Sequence, residues 1–162
     1  MNLLDSMSIR EKDLWGELLI DVLVALYYFP KVFALMAQGD TMLRGGEMAD
    51  LVISTIVLAI VVSIVVFGAI HRKGEAEDRD ERDLQFEAQG NLLAFRVLYG
   101  FLVLILGQIV MWEYFSPSDL DALLTEAGPL VVGHMILLAM ILTSMVKAAV
   151  QLFQYRRSVT GG

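Results

Sequence analysis

The chain contains no cysteine and only two histidines among its 162 residues. Without cysteine, disulfides, thiol catalysis, thiolate metal sites and iron–sulfur clusters are all excluded. His71 and His134 fall in different predicted elements, so a haem or zinc site would need both to converge. Sequence motifs for nucleotide binding, serine hydrolysis and zinc proteolysis are also missing. The sequence therefore predicts no cofactor, no metal site and no enzymatic activity.

Basic residues are scarce as well. The 12 lysines and arginines stand against 19 aspartates and glutamates, which gives a formal net charge of −7. This acidic balance argues against nucleic acid as a partner. Charged residues make up only 19% of the chain, whereas apolar residues make up 57%. Soluble domains contain roughly 45–50% apolar residues, so the composition indicates a membrane protein.

The apolar excess is concentrated in four blocks separated by short polar stretches. Crossing ~30 Å of hydrocarbon takes ~20 helical residues, and a helix satisfies its backbone polar groups internally, which a lone strand cannot. We therefore predict a single all-α membrane domain, a bundle of four transmembrane helices. The prediction also includes an acidic, helical cytoplasmic loop between the second and third spans. A short amphipathic helix is predicted on the outer surface after the third span. The spans are predicted at 14–38, 49–71, 91–115 and 129–152, and the acidic loop at 72–90.

Lysine and arginine lie mainly on one side of the predicted spans. The N-terminal arm, the middle loop and the C-terminal tail carry eight of them, whereas the first loop carries Arg44 and the third loop carries none. Because positive charge is retained on the cytoplasmic side, both termini and the middle loop are predicted to be cytoplasmic. The first span is too long for a signal-peptide core and contains Glu17 and Asp21, so we interpret it as a retained anchor.

Four ionisable residues are predicted to meet inside the membrane at one depth. At 1.5 Å per residue they lie roughly 5–10 Å from the cytoplasmic ends of their spans, and charges inside a span usually have partners. One hypothesis is a charged pocket that opens to the cytoplasm and takes a proton, an ion or a small charged ligand. The other is an ion-pair cluster that holds helices 1, 3 and 4 together, with Lys147 and Arg96 partly snorkelling. Equal numbers of acids and bases favour this second hypothesis. The four residues are Glu17, Asp21, Arg96 and Lys147.

A second polar group is predicted near the outer surface, consisting of Lys31, Glu113 and His134. Lys31 follows Pro30, where the first helix is expected to kink. His134 lies roughly 8 Å inside the fourth span. A histidine in this position can act as a pH-sensitive switch, although such a histidine is more often hydrogen-bonded to a neighbouring helix.

The middle loop is the most distinctive polar segment, with seven acidic and two basic residues from Glu75 to Glu87. The spacing from Glu75 to Arg79 and from Asp78 to Arg82 places acid before base on one helix face, which favours a helix. A calcium loop of the EF-hand type is disfavoured because its turn glycine is missing. The remaining interpretations are a solvated helix, a clamp on the helix end and a docking site for a partner protein. The residues that would carry these roles are Asp80, Glu81, Arg82 and Asp83.

Local residue patterns predict where the first helix starts and where helices touch. Ser8-Ile9-Arg10-Glu11 has the form of a capping box. Contacts in lipid use small side chains, because lipid removes the hydrophobic force between helices. The candidate contact residues are Ala59, Ser63, Gly100, Gly107, Ser144 and Ala148.

Three motifs give the chain a resemblance to a known family. They lie before the first helix, before the third helix and after the fourth: Ser8-Ile9-Arg10-Glu11-Lys12, Asp80-Glu81-Arg82-Asp83 followed by Gly90, and Tyr155-Arg156-Arg157. With these motifs the chain resembles a family of small bacterial four-helix integral membrane proteins of uncharacterised function. The resemblance implies a four-helix fold and a location in the bacterial inner membrane, and it assigns no activity.

Together these patterns predict a non-enzymatic membrane protein that serves as an accessory subunit, scaffold or sensor through its cytoplasmic face. Such a chain is expected to lie in the lipid bilayer and to form a homo-oligomer or join a larger membrane complex. The alternative is a small oligomeric transporter coupled to protons or ions. In this alternative, Glu17 and Asp21 are the coupling carboxylates. Each is paired with Arg96 or Lys147 in one state and is protonated in the other.

Overall fold

A computed structural model describes residues 7–38, 46–73, 80–115 and 128–160. Within these ranges the structured elements are four long helices and a short 3₁₀ turn at His71–Lys73. Each long helix has the length and apolar composition needed to cross a membrane, which confirms the prediction of four such helices. The helices are α1 (Ile9–Gln38), α2 (Gly46–Ile70), α3 (Glu81–Phe115) and α4 (Gly128–Thr160).

The third and fourth helices extend beyond the predicted spans. α3 begins at Glu81, so the polar segment 81–90 forms its first turns. The helix continues without a break from this segment into the apolar stretch. α4 runs past the predicted end of its span to Thr160. The rest of the acidic loop, residues 74–79, and the amphipathic helix predicted after the third span lie outside the described residues.

Side-chain caps define the starts of α1 and α3. Ser8 Oγ accepts a hydrogen bond from the Glu11 backbone N–H at 3.1 Å, as the predicted capping box requires of its first residue. At α3, Asp80 Oδ1 accepts from the Glu81 N–H at 2.6 Å, and Asp83 Oδ2 accepts from the Asp80 N–H at 3.2 Å. The Asp80 carbonyl also accepts the first helical hydrogen bond, from the Leu84 N–H at 3.3 Å, so Asp80 occupies the N-cap position of α3, and Asp83 bonds back to its N–H.

The helices pack side by side in the order α2–α1–α4–α3. The extensive contacts are those of α1 with α2, of α1 with α4 and of α3 with α4. α1 and α4 therefore form the inner pair, and in the described ranges α2 and α3 do not pack extensively on each other. The outward faces of these outer helices carry large exposed apolar side chains such as Ile64 and Leu104, which are 67% and 69% exposed. Such faces suit the hydrocarbon of a bilayer.

Two buried apolar clusters lie between the packed helices. The smaller cluster, near the start of α1 and the end of α4, consists of Leu14, Ala148 and Leu152. The larger cluster lies at the opposite end and consists of Tyr28, Phe29, Val32, Leu35, Met48, Leu51 and Ile141. We call the end that contains residues 7–14, 71–73, 80–90 and 148–160 the terminal end. The far end contains residues 27–38, 46–54 and 128–135.

Two glycines allow neighbouring helices to approach closely. A Cβ atom on Gly90 of α3 would lie 2.7 Å from Nε2 and 2.8 Å from Cγ of Gln151 in α4. A Cβ atom on Gly16 of α1 would lie 2.9 Å from a side-chain carbon of α2. In contrast, nothing lies within 4 Å of this position on Gly100 or Gly107. The two glycines expected to form contacts in α3 therefore point away from the described neighbouring helices.

Replacing Gly90 with leucine should destabilise the bundle, because Gln151 occupies the space that the new side chain needs. Extra volume forced into a packed contact costs about 1–3 kcal/mol, so we expect Gly90→Leu to lower the unfolding temperature measured in detergent. Gly100→Leu is the matched control, since it makes the same change on the same helix where the side chain meets open space. Equal losses in both variants would contradict the assigned α3–α4 contact.

Candidate functional site

An ion pair joins α1 to α4 within their apolar stretches. Lys147 Nζ donates a hydrogen bond to Glu17 Oε2 at 3.4 Å, and both side chains are 29% exposed. Asp21 lies one turn further along α1 and has Ser144 of α4 as a polar neighbour. The Oδ2 atom of Asp21 is buried and accepts no hydrogen bond from the described residues. These four residues form what we call the α1–α4 charge site.

Arg96 is not part of this charge site. Its side chain is exposed, and among the described residues no ion pair includes it. α3 buries Ala94 and Ile105 and packs extensively on α4. Arg96 follows two positions after Ala94 and so lies about 200° around the helix from it. The structure therefore assembles two acids and one base in place of the expected two acids and two bases, and one acid is in excess.

The outer polar group is not assembled as one site either. His134 Nδ1 of α4 and Tyr28 Oη of α1 are 3.2 Å apart, in a hydrogen bond whose donor depends on the tautomer of the ring. Lys31 instead lies on the side of α1 that faces α2, with its Nζ 3.6 Å from the centre of the Tyr27 ring. The side chain of Glu113 is outside the described part of the chain. His134 and Lys31 thus belong to different helix contacts.

Ion pairs at the terminal end connect α1 to each of the other helix segments. Glu11, which is only 6% exposed, is the most deeply buried of the acids in these pairs. Burial shields its interaction from water and makes its partner important for folding. We call this set the terminal network. Its interhelical contacts are the ion pairs Glu11–Arg156 at 3.1 Å and Arg10–Glu87 at 3.8 Å, together with Asp13–His71 at 3.6 Å, which is an ion pair when the imidazole is protonated.

The charged motif at the start of α3 contributes to the same network. Tyr155 of α4 donates a hydrogen bond to Asp83 Oδ1, and the Tyr155 ring packs edge-on against Phe86 with ring centres 5.0 Å apart. Since the other oxygen of Asp83 bonds the Asp80 N–H, both aspartates of the motif stabilise the start of α3. The members of the motif that are exposed without capping the helix are Glu81 and Arg82.

His71 joins α1 and α2 through both ring nitrogens. Its Nδ1 atom lies 3.0 Å from the Phe67 carbonyl oxygen, which can only accept, so Nδ1 is the donor. Its Nε2 atom faces Asp13 Oδ1 at 3.6 Å. Both interactions are favourable together when the imidazole is protonated, because both nitrogens then carry hydrogen.

The two polar regions differ in what they can do chemically. The terminal network is a set of matched charges that ties helices together. The α1–α4 charge site has one carboxyl group more than it has bases, and this carboxyl group can take up a proton beside the Glu17–Lys147 pair. Among the described residues, no group of three or more histidine, aspartate or glutamate side chains is placed to hold a metal ion.

The contacts of Asp13 and Gln89 are not among those that the sequence predicts. Gln154 of α4 donates a hydrogen bond to Gln89 of α3 at 2.6 Å. Residue spacing reports on contacts within one helix, so contacts between different helices leave no local pattern. The available signal was composition, since charged residues of both signs accumulate at the same ends of all four spans.

Neither a family model nor a curated protein nor a solved structure matches this chain.

Removing either member of the Glu17–Lys147 pair should destabilise the bundle, because the charged hydrogen bond between α1 and α4 is lost, and Lys147→Met also leaves two carboxyl groups without a base. Such a loss costs about 1–3 kcal/mol, so Glu17→Gln and Lys147→Met should each lower the unfolding temperature. The double variant should recover part of the loss, which a double-mutant cycle measures as a coupling energy. Arg96→Met is the control, since it removes a charge outside this site. Strictly additive losses would argue against the pair.

Proposed function

We propose that this chain is a non-enzymatic protein of the bacterial inner membrane, an accessory or scaffold subunit that binds another membrane protein along α3. In this proposal the terminal end faces the cytoplasm, because the basic residues that flank the spans are retained there. The observation that carries the proposal is the position of Arg96 on the face of α3 that is turned away from α4.

An arginine inside a membrane span almost always faces protein or pairs with another polar group. Arg96 is instead flanked on its own helix face by Leu92 and Val103, which are 52% and 50% exposed. No acidic side chain in the described part of the chain pairs with it. A partner helix that carries a carboxyl group would supply the missing pair and cover this apolar face.

The start of α3 extends the same face beyond the apolar stretch. Arg82 and Arg96 are about four helical turns apart and so lie on nearly the same side of the helix. Arg82 and its neighbour Glu81 are both exposed. The contacts of the terminal network fix the start of α3 against α1 and α4. A partner would therefore meet a surface that is already ordered, which lowers the entropy cost of binding. One side of α3 is therefore exposed along the helix. This side is charged at the start of α3 and apolar around Arg96.

A different protein fits this face better than a second copy of the chain. A symmetric pair of copies uses the same patch on both molecules. Packing through this face would then bring two Arg96 side chains together, and like charges in an interface are unfavourable. The expected partner is therefore a membrane protein with an aspartate or glutamate in one of its spans.

Site-specific photo-cross-linking in the native membrane tests this proposal. A photoreactive residue at Leu92 of α3 should capture one partner protein, which mass spectrometry identifies. Val61 of α2 is the matched control position, since both side chains are 52% exposed, and it should capture little. Arg96→Leu should remove most of the captured partner, because the charge that selects it is lost.

Further variants separate the charged start of α3 from its apolar part. Glu81→Gln combined with Arg82→Gln should lower the cross-linking yield, whereas Arg72→Gln at the end of α2 should not. Asp80 and Asp83 stay unchanged, since their loss would remove the cap of α3. Equal capture from Leu92 and Val61, capture of a second copy of the chain, or capture that survives Arg96→Leu would each contradict the proposal.

A small proton- or ion-coupled transporter is the second candidate, and the α1–α4 charge site favours it. A transport site requires an acid that can release and take up its ion. Asp21 meets this requirement better than Glu17, because Glu17 is paired with Lys147 at 3.4 Å while Asp21 Oδ2 accepts no hydrogen bond from the described residues. In a transporter, Asp21 would carry the proton or ion, and the Glu17–Lys147 pair would hold the helices around it.

Flux measurements in proteoliposomes test the transporter. With a pH gradient as driving force, the wild-type protein should move protons, and Asp21→Asn should abolish the flux while the unfolding temperature stays near that of the wild type. Asp80→Asn is the matched control, because asparagine is also a good N-cap and the position is remote from the charge site. Equal flux in wild-type and Asp21→Asn liposomes would rule out this role for Asp21.

A further inference from the structure

An open pocket with apolar and charged lining residues lies between α1 and α2 at the far end of the bundle. Its volume is about 480 Å³, within the range of ~300–1,000 Å³ that small-ligand sites occupy. The polar residues that line it are Tyr27 and Lys31 from α1 and Glu47, Asp50 and Ser54 from α2. None of them belongs to the α1–α4 charge site or to the terminal network, so neither proposed function uses this pocket.

The charges in the pocket are not paired with one another. Lys31 Nζ rests over the Tyr27 ring, 3.6 Å from its centre. In the described part of the chain no ion pair joins Lys31 to Glu47 or Asp50, and all three side chains are exposed. This contrasts with the terminal end, where the acids of α1 are matched with bases. An ammonium group on α1 and two carboxylates on α2 thus line the same pocket without pairing with one another in the described part of the chain.

Hydrogen bonds hold the Tyr27 side of the pocket in place. Tyr27 Oη donates to Ser54 Oγ at 3.1 Å, and Ser54 Oγ donates to the Leu51 carbonyl at 3.0 Å. This chain of bonds links α1 to α2 and orients the aromatic ring that supports Lys31. The positive group is therefore preorganised on one wall, while the negative groups of Glu47 and Asp50 lie on the other.

The pocket lies at the level where the apolar stretch of α2 begins. Glu47 and Asp50 belong to the first turns of α2, and the residues that follow Asp50 are apolar apart from hydroxyl groups. On α1, Lys31 precedes the helix end by roughly 10 Å. Lysine and tyrosine side chains commonly reach the headgroup region from such positions. The polar groups that surround this part of a membrane protein are lipid headgroups.

We propose that this pocket binds a zwitterion with a primary ammonium group and a phosphate, and that its source is the headgroup of phosphatidylethanolamine. Lys31 donates charge-assisted hydrogen bonds to the phosphate, and Glu47 and Asp50 accept them from the ammonium group. The quaternary ammonium of phosphatidylcholine has no N–H to donate, and phosphatidylglycerol has no ammonium group. The pocket therefore selects ethanolamine over choline and glycerol headgroups.

Native mass spectrometry of the intact protein in detergent, titrated with each of the three lipids, tests this selectivity. Phosphatidylethanolamine should bind more tightly than phosphatidylcholine by about tenfold or more, which corresponds to the loss of a hydrogen bond to a charged group. Unfolding temperatures and gel filtration of every variant described below confirm that the bundle is intact before binding is compared.

Variants on the two walls have different expected effects. Lys31→Gln should weaken both phosphatidylethanolamine and phosphatidylglycerol, because both contain the phosphate. Glu47→Gln combined with Asp50→Asn should weaken phosphatidylethanolamine by about tenfold and leave phosphatidylglycerol unchanged or tighter, because two repelling carboxylates are gone. Lys12→Gln, at the other end of α1, is the matched control and should change neither affinity.

Three outcomes would overturn the proposal. The first is equal affinity of the wild type for the three lipids. The second is ethanolamine selectivity that survives Glu47→Gln with Asp50→Asn, and the third is binding that is unaffected by Lys31→Gln. Competition by free phosphoethanolamine distinguishes the source. Displacement of the lipid at equal concentration would assign the pocket to a soluble zwitterion and overturn the lipid assignment, whereas failure to displace it supports the lipid.

Discussion

Apolar helix faces in a lipid surrounding gain little from meeting one another, since the lipid chains are as apolar as the side chains. The helices of this protein are accordingly tied together by polar contacts at the terminal end, where α1 forms ion pairs with α4, α3 and the end of α2. By packing, α1 and α4 are the inner pair of helices, and α2 and α3 lie on the outside. The order α2–α1–α4–α3 then determines which faces are covered and which remain open.

Because Arg96 lies on the uncovered side of α3, the intramembrane charges do not form the predicted cluster of four. With Arg96 turned away from α4, the α1–α4 charge site is left with Glu17 paired to Lys147 and with Asp21 in excess. The same rotation leaves a single arginine on an apolar face. One geometric fact thus supports both candidate functions: a partner helix that pairs with Arg96, or an acid at Asp21 that exchanges a proton. Cross-linking along α3 and flux through the bundle distinguish them.

The two ends of the bundle use charge in different ways. At the terminal end the charged motif of α3 is largely structural, since Asp80 and Asp83 cap the helix and Asp83 also bonds Tyr155. At the far end Lys31 lies over an aromatic ring and lines a pocket with two carboxylates that it does not pair with. Charges that satisfy one another stabilise the fold, whereas charges held apart around a pocket are available to a ligand. The far end is therefore where we place the lipid site.

The four long apolar helices, their approximate bounds and the cap at Ser8 were predictable from the residues alone, because they depend on local composition and on hydrogen bonds to nearby backbone. It also placed Glu17 and Lys147 at the same depth, since depth follows from the rise per residue. That they pair while Arg96 faces outward, and that Gly90 rather than Gly100 meets a neighbouring helix, follows only from the packing of the helices. These contacts depend on the rotation of each helix about its axis. Which face of a helix is covered depends on which helices lie beside it, and no spacing within one helix contains that information.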